Sequence, residues 1–94
     1  MLTPLSNAET RKLKASAQRL KAMLKMGRQG LSSQFLESVN DALSHHQLIK
    51  VKFDDLKEQR KTLAPELAEK TGSHLVTLVG NVAVLFRPKA GASE

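Results

Sequence analysis

Two glycines that enclose an arginine and a glutamine form the segment of this sequence best suited to chemistry. The segment is Gly27-Arg28-Gln29-Gly30, and it lies between a short apolar run and a strong helical pattern. Glycine permits positive φ and close approach of another backbone, and the first turn of a helix carries unpaired N–H groups and a partial positive charge. With the guanidinium of Arg28, such a loop suits a phosphate group. A plain strand-to-helix turn, in which glycines are common, stays open as the alternative.

The other polar side chains form no pattern typical of a catalytic or metal site. Asp41 and His45 stand one helical turn apart, but no third ligand is evident and the chain contains no cysteine. We therefore expect His45 and His46 to interact with the last carbonyls of a helix. Because Gly30 is followed by leucine and serine, the loop is not a P-loop. We expect no enzymatic activity, no cofactor or metal, and no small-molecule substrate.

The positive charge is concentrated at the N-terminal end of the chain. The 94 residues contain 15 Lys and Arg and 9 Asp and Glu, which gives a net charge of +6. Residues 1–36 hold seven basic residues and one acidic residue (7 − 1 = 6), so the remainder of the chain is neutral. A localised basic region favours a polyanion such as nucleic acid, and a solvated helix that aids solubility is the alternative. Without an apolar run long enough for a signal peptide or a membrane span, we expect a cytoplasmic protein that does not enter a membrane.

Hydrophobic periodicity and turn residues predict an α/β (α+β) domain with the element order α-β-α-β-α-β-β. We expect a helix from Ser6, a strand at 23–26, a helix at about 33–45, a strand at 48–53, a helix from Asp54 or Asp55 to about Lys70, and strands at 75–79 and 82–86. Pro65 predicts a kink or a break near Leu63. This order implies a four-stranded mixed sheet with helices packed on it, in a single domain over 1–94 with its core at about 10–88 and a flexible tail at 89–94.

The strand at 48–53 predicts that the two faces of the sheet differ. Ile49, Val51 and Phe53 alternate with Lys50 and Lys52, so one face of the sheet belongs to the core and the other carries two lysines. The chain has no tyrosine or tryptophan, which argues against single-strand binding by aromatic stacking. If the partner is a nucleic acid, we therefore expect contacts mainly to its phosphates and its overall shape, with low sequence selectivity.

Three segments, in the correct order and spacing, resemble the CRM domain family, and most closely its bacterial single-domain, YhbY-like members. The segments are Gly27-Arg28-Gln29-Gly30-Leu31, the run 42–52 that ends in "LIKVK", and 79–88 with its terminal "LFRP". The sequence departs from the family pattern at three positions. It has Arg28 where lysine is usual, Gln47 where glutamate is usual, and Phe86 where tyrosine is usual.

The resemblance implies an RNA-binding protein with a fold similar to the C-terminal domain of translation initiation factor three. The bacterial members associate with precursors of the large ribosomal subunit, so we expect a ribosome-associated monomer that binds ribosomal RNA during subunit assembly. By motif position Gly27, Arg28, Gln29 and Gly30 contact RNA. The adjoining basic surface is expected to comprise Lys25, Lys50, Lys52, Arg11, Lys12, Lys14, Arg19, Lys21 and, more weakly, Arg87. The alternatives are a protein-interaction module whose basic first helix docks an acidic partner, and a general DNA-binding protein.

Overall fold

The predicted order of elements is confirmed, with one short 3₁₀-helix added before the third α-helix. A computed structural model describes residues 5–88. Its elements are α1 (Asn7–Ala17), β1 (Leu24–Met26), α2 (Ser33–His46), β2 (Leu48–Phe53), a 3₁₀-helix (Lys57–Gln59), α3 (Arg60–Lys70), β3 (His74–Val79) and β4 (Val82–Phe86). The strands form one mixed sheet in the order β1-β2-β4-β3, with β1 and β2 parallel and the other neighbours antiparallel.

The first helix begins with a capping box. The Oγ of Ser6 accepts a 3.1 Å hydrogen bond from the N–H of Glu9, and the Glu9 carboxylate accepts one of 3.1 Å from the N–H of Ser6. The hydrogen bond from the Ser6 N–H to the carboxylate, and after it the Ser6 hydroxyl beside that carboxylate, hold the pKa of Glu9 below its ordinary value. The helix ends at Ala17, so Leu20 lies outside it and is 37% exposed.

The third helix begins later than predicted, at Arg60, and it continues through Pro65. Neither Asp54 nor Asp55 caps it, because Leu56 has a left-handed conformation (φ 54°) and the chain then makes the 3₁₀ turn before α3. Of the kink or break predicted at Pro65, the break is wrong, since α3 runs through Pro65 from Arg60 to Lys70. Pro65 and Lys61 are both exposed, so water can hydrogen-bond to the Lys61 carbonyl that proline leaves without a donor.

Helices cover the sheet on two faces and create two hydrophobic clusters. The larger cluster lies between one face and helices α2 and α3, and its fully buried members include Phe53, Met26 and Leu43. The smaller cluster lies on the opposite face, where α1 places Ala17 over Val76 and Val84. Because α1 is short and ends at Ala17, residues 5–88 leave part of this second face uncovered.

Two turns hold the chain as the sequence predicts. Gly72, with φ 62°, follows α3, and the N–H groups of Gly72 and Ser73 donate to the carbonyls of Glu69 and Ala68, which is a Schellman motif. Gly80 and Asn81 form the two-residue hairpin between β3 and β4, with positive φ only at Gly80. The predicted tail at 89–94 lies outside the described residues. Within residues 5–88, none of the helices has the length and apolar character required to cross a bilayer.

Candidate nucleic-acid interface

The Gly27–Gly30 loop connects the end of β1 to the beginning of α2. The Gly30 N–H donates to the Gly27 carbonyl at 3.1 Å, which closes a tight turn with Arg28 and Gln29 at its tip. Both tip side chains are exposed, whereas Gly30 is buried and Met26, just before the loop, is fully buried. The turn therefore exposes one cation and one amide to solvent, and the buried residues on either side hold the turn in place.

The two glycines of the loop are used in different ways. Gly30 has φ +63°, and a Cβ atom at this position would lie 3.1 Å from the Leu56 Cδ1 atom. Gly27 has no positive φ, and a Cβ atom there would have nothing within 4 Å. Folding therefore accounts for Gly30, whereas the open space beside Gly27 leaves room for a ligand to approach the backbone. Sequence reasoning missed Leu56, whose left-handed φ carries no sequence signal.

The beginning of α2 adds a positive electrostatic contribution to the loop. Ser32 caps the helix, since its Oγ accepts from the Phe35 N–H at 3.2 Å. The first turn contains no acidic residue, and both of its first residues, Ser33 and Gln34, are exposed. The positive end of the helix dipole therefore acts next to the Arg28 guanidinium without a competing carboxylate in that turn.

Two lysines predicted for the site lie side by side on the sheet. In the strand register Lys25 of β1 neighbours Lys52 of β2, Lys52 neighbours Val82 of β4, and Val82 neighbours Val79 of β3. Both lysines are exposed, on the face opposite the larger cluster. Lys25 is two residues from Gly27, so the basic surface continues directly from the loop onto the sheet. Like charges held this close repel each other, which a polyanion would relieve.

Lys50 lies on the same face but has a structural contact. Its Nζ atom donates to the Leu20 carbonyl at 2.9 Å and so ties the connection after α1 to the sheet. An ammonium group has three donors, and this contact uses one of them. Lys50 is half-buried and can still contribute charge to the surface.

The basic residues of α1 and of the segment after it point in several directions. Leu13 and Ala17 face the sheet, so successive steps of 100° place Lys14 on one flank of the helix and Lys12 on the other. Lys14 and Lys50 border the same groove. The remaining predicted cations of this region are exposed: Arg11 near the outer side of α1, and Arg19 and Lys21 beyond its end. The structure thus groups Lys14, but not Lys12 or Arg11, with the sheet lysines.

Arg87, the weakest site candidate, has a structural role instead. Its guanidinium donates to the Asn40 Oδ1 and carbonyl oxygens, to the Thr71 carbonyl and to the Ser44 Oγ, at 2.7–2.9 Å. These four bonds use all four terminal N–H groups and join the end of β4 to α2 and to the end of α3. We therefore omit Arg87 from the candidate interface. The sequence gives no sign of this, because the partners lie 16 to 47 residues away.

Acidic groups limit the interface on one side. The N–H groups of Asp54 and Asp55 both donate to the Met26 carbonyl, so these exposed carboxylates follow β2 directly beside the loop. Glu37 and Asp41 are exposed on α2. A polyanion bound at the loop is therefore expected to extend across the sheet lysines, which attract it, and not across α2, where the carboxylates repel it. Within residues 5–88 there is no group of three or more His, Asp or Glu side chains that could hold a metal ion.

The exposed glycine loop at a helix N-terminus, joined to a basic sheet face, defines the class of small α/β nucleic-acid-binding modules. Residues 5–87 match the model of the CRS1/YhbY (CRM) domain. The chain therefore belongs to the CRM domain family, as the sequence motifs predict.

Individual relatives agree with this assignment. An RNA-binding protein of Haemophilus influenzae is 32% identical over 92 residues, which cover 97% of this chain and 93% of the relative. A Pseudomonas aeruginosa protein named "Probable RNA-binding protein" is 31% identical over 84 residues, covering 88% of this chain and 81% of that protein. The solution structure of a hypothetical protein from Staphylococcus aureus matches with a TM-score of 0.80 at 27% identity, covering 95% of this chain and 94% of that one. The predicted fold and family are thus confirmed.

Proposed function

We propose that this protein binds RNA through the Gly27–Gly30 loop and the lysines that continue from it. The observation that carries the proposal is the exposed Arg28 at the positive end of α2, three residues after Lys25, which pairs with Lys52 on the sheet face. Phosphate groups fit the loop backbone and the guanidinium, and the sheet lysines extend the contact along the strand of RNA. Relatives of this chain named as RNA-binding proteins support the choice of RNA as the polyanion.

We further propose that the RNA belongs to precursors of the large ribosomal subunit and that the protein acts in the cytoplasm as a monomer. This part of the proposal rests on the resemblance to bacterial single-domain members of the family. Sedimentation of a cell extract on a sucrose gradient tests it. Co-migration with large-subunit material that is lost at raised salt or after RNase treatment is the expected result. A position at the top of the gradient at low salt would contradict it and would favour an acidic protein partner.

The substitution Arg28→Glu tests the loop directly. We expect affinity for large-subunit ribosomal RNA fragments to fall by about tenfold or more, with the slope of log affinity against log salt concentration reduced by about 1. The melting temperature should change little, because Arg28 is exposed. Fluorescence anisotropy at several salt concentrations measures both quantities.

Lys61→Glu is the matched control. Lys61 is exposed in the first turn of α3, which packs on the other face of the sheet, and a glutamate there suits the helix dipole. It brings the same change in net charge, so any effect of overall charge appears in both variants. An equal loss of affinity in the two variants would remove the loop from the mechanism. Equal affinity of the wild-type protein for duplex DNA and for ribosomal RNA would favour a general DNA-binding protein.

A further inference from the structure

An apolar groove lies on the uncovered part of the sheet, beside the end of α1. Its volume is about 430 Å³, within the range of ligand sites. Val82, Val84 and Thr77 on β4 and β3 form its floor, and Ala17 and Ala22 form the wall toward the first helix. The groove exists because α1 ends at Ala17 and the chain crosses back to β1 before the sheet is fully covered.

One border of the groove is strongly exposed apolar surface. Val79, the last residue of β3, is 67% exposed. Single exposed apolar side chains are common on protein surfaces, but apolar surface that is contiguous and concave marks an interaction site. Val79 and Val82 both line the groove, so here the exposed surface and the concavity coincide.

The charge around the groove selects an anionic occupant. Lys14 and Lys50 both line the groove, and among residues 5–88 no acidic side chain lines it. Lys50 uses one N–H on the Leu20 carbonyl and keeps two for a ligand. Gln18 and Thr77 also line the groove, and their amide and hydroxyl can donate to and accept from the edge of a planar polar ring.

The groove is also continuous with the proposed RNA surface. One row of paired residues runs across the four strands, from Lys25 and Lys52 to Val82 and Val79. The basic part of the sheet face therefore leads into the apolar part. A nucleotide likewise combines an apolar ring face with an anionic phosphate. We propose that this groove binds one unpaired nucleobase of the RNA, with the flanking phosphates on Lys14 and Lys50. The inference rests on the proposed RNA binding and adds a subsite to it.

Binding of a base in this groove differs from aromatic stacking, which the composition argues against. Aliphatic side chains hold a base by van der Waals contact and by exclusion of water from its faces. Binding of this kind tolerates all four bases, since each has an apolar ring face. The expected preference is therefore for RNA with an unpaired nucleotide, and it does not depend on which base is present.

Two RNA hairpins with the same number of phosphates test the proposal on the full-length protein. One carries a single bulged 2-aminopurine, and in the other the same 2-aminopurine is paired. Wild-type protein should bind the bulged hairpin on the order of tenfold more tightly and change its fluorescence. Ala22→Leu, which fills the groove, should abolish the preference while leaving affinity for the paired hairpin unchanged. Val79→Thr, at an exposed strand position where threonine is well tolerated, should reduce the preference without affecting folding.

The control is Ala15→Leu, which adds the same volume at an exposed position of α1 outside the groove. It should keep the full preference. Equal affinity of the wild-type protein for the two hairpins would overturn the nucleobase assignment, leave RNA binding intact, and favour an apolar protein segment as the occupant. Retention of the preference in both groove variants would also overturn it. Failure to bind either hairpin would instead refute the proposed RNA binding itself.

Discussion

Replacing each glycine of the loop by alanine separates what folding requires from what the ligand requires. At Gly30 the φ of +63° costs an L-residue about 1–2 kcal/mol, and the new Cβ would lie 3.1 Å from the Leu56 Cδ1 atom. The leucine side chain can move by a few tenths of an ångström, so the conformational term dominates. Gly30→Ala should therefore lower the free energy of unfolding by about 1–2 kcal/mol and the melting temperature by about 4–16 °C.

At Gly27 the same change should leave stability within about 0.5 kcal/mol, because φ is not positive and the Cβ would meet nothing within 4 Å. The added methyl group would instead occupy the open space through which a phosphate reaches the loop backbone. Loss of one hydrogen bond to a phosphate costs about 1.5–3 kcal/mol, so affinity for RNA should fall by about tenfold or more.

Urea denaturation and fluorescence anisotropy on the same two variants measure these effects. The expected result is a crossed pattern, with Gly30→Ala less stable and Gly27→Ala weaker in binding. The affinity of Gly30→Ala must be measured well below its melting temperature so that unfolding does not contribute. A Gly27→Ala protein that binds RNA as the wild type does would refute the assignment of this glycine to the ligand. Equal destabilisation by both substitutions would refute the conclusion that the fold requires glycine at Gly30 but not at Gly27.

The other predictions concern stability. Arg87→Ala should lower the free energy of unfolding by about 2–4 kcal/mol, because it removes four hydrogen bonds from a half-buried cation, whereas Arg28→Ala at the exposed tip should cost under about 0.5 kcal/mol. Urea denaturation compares the two, and similar values would contradict the structural role of Arg87. The lowered pKa of Glu9 means that its stabilising contribution is present at neutral pH and is lost as the pH falls through that pKa, in the acidic range below the ordinary value of 4.5. The stability difference between wild type and Glu9→Ala should shrink in that acidic range, and a difference independent of pH would show that the carboxylate charge has no part in the cap.

Local sequence signals predicted most of the elements because each depends on neighbouring residues. The Ser6–Glu9 capping box, the alternation from Ile49 to Phe53 and the Gly80-Asn81 turn specify their own hydrogen bonds or faces. The predictions for the third helix were wrong where the outcome depends on contacts with other elements. Its beginning is displaced by the left-handed Leu56, and its passage through Pro65 is permitted by exposure that the sequence does not display.

The sequence by itself determined the family, the element order and the loop with its arginine, since these are properties of adjacent residues and of the order of motifs. Only the tertiary structure decided which cations act together. The register of β1 against β2 places Lys25 beside Lys52, whereas long-range hydrogen bonds commit Arg87 to the framework. The groove beside α1 likewise exists only once a short helix packs on a longer sheet. Burial and strand pairing join residues far apart in the chain, and these set the surface that a ligand meets.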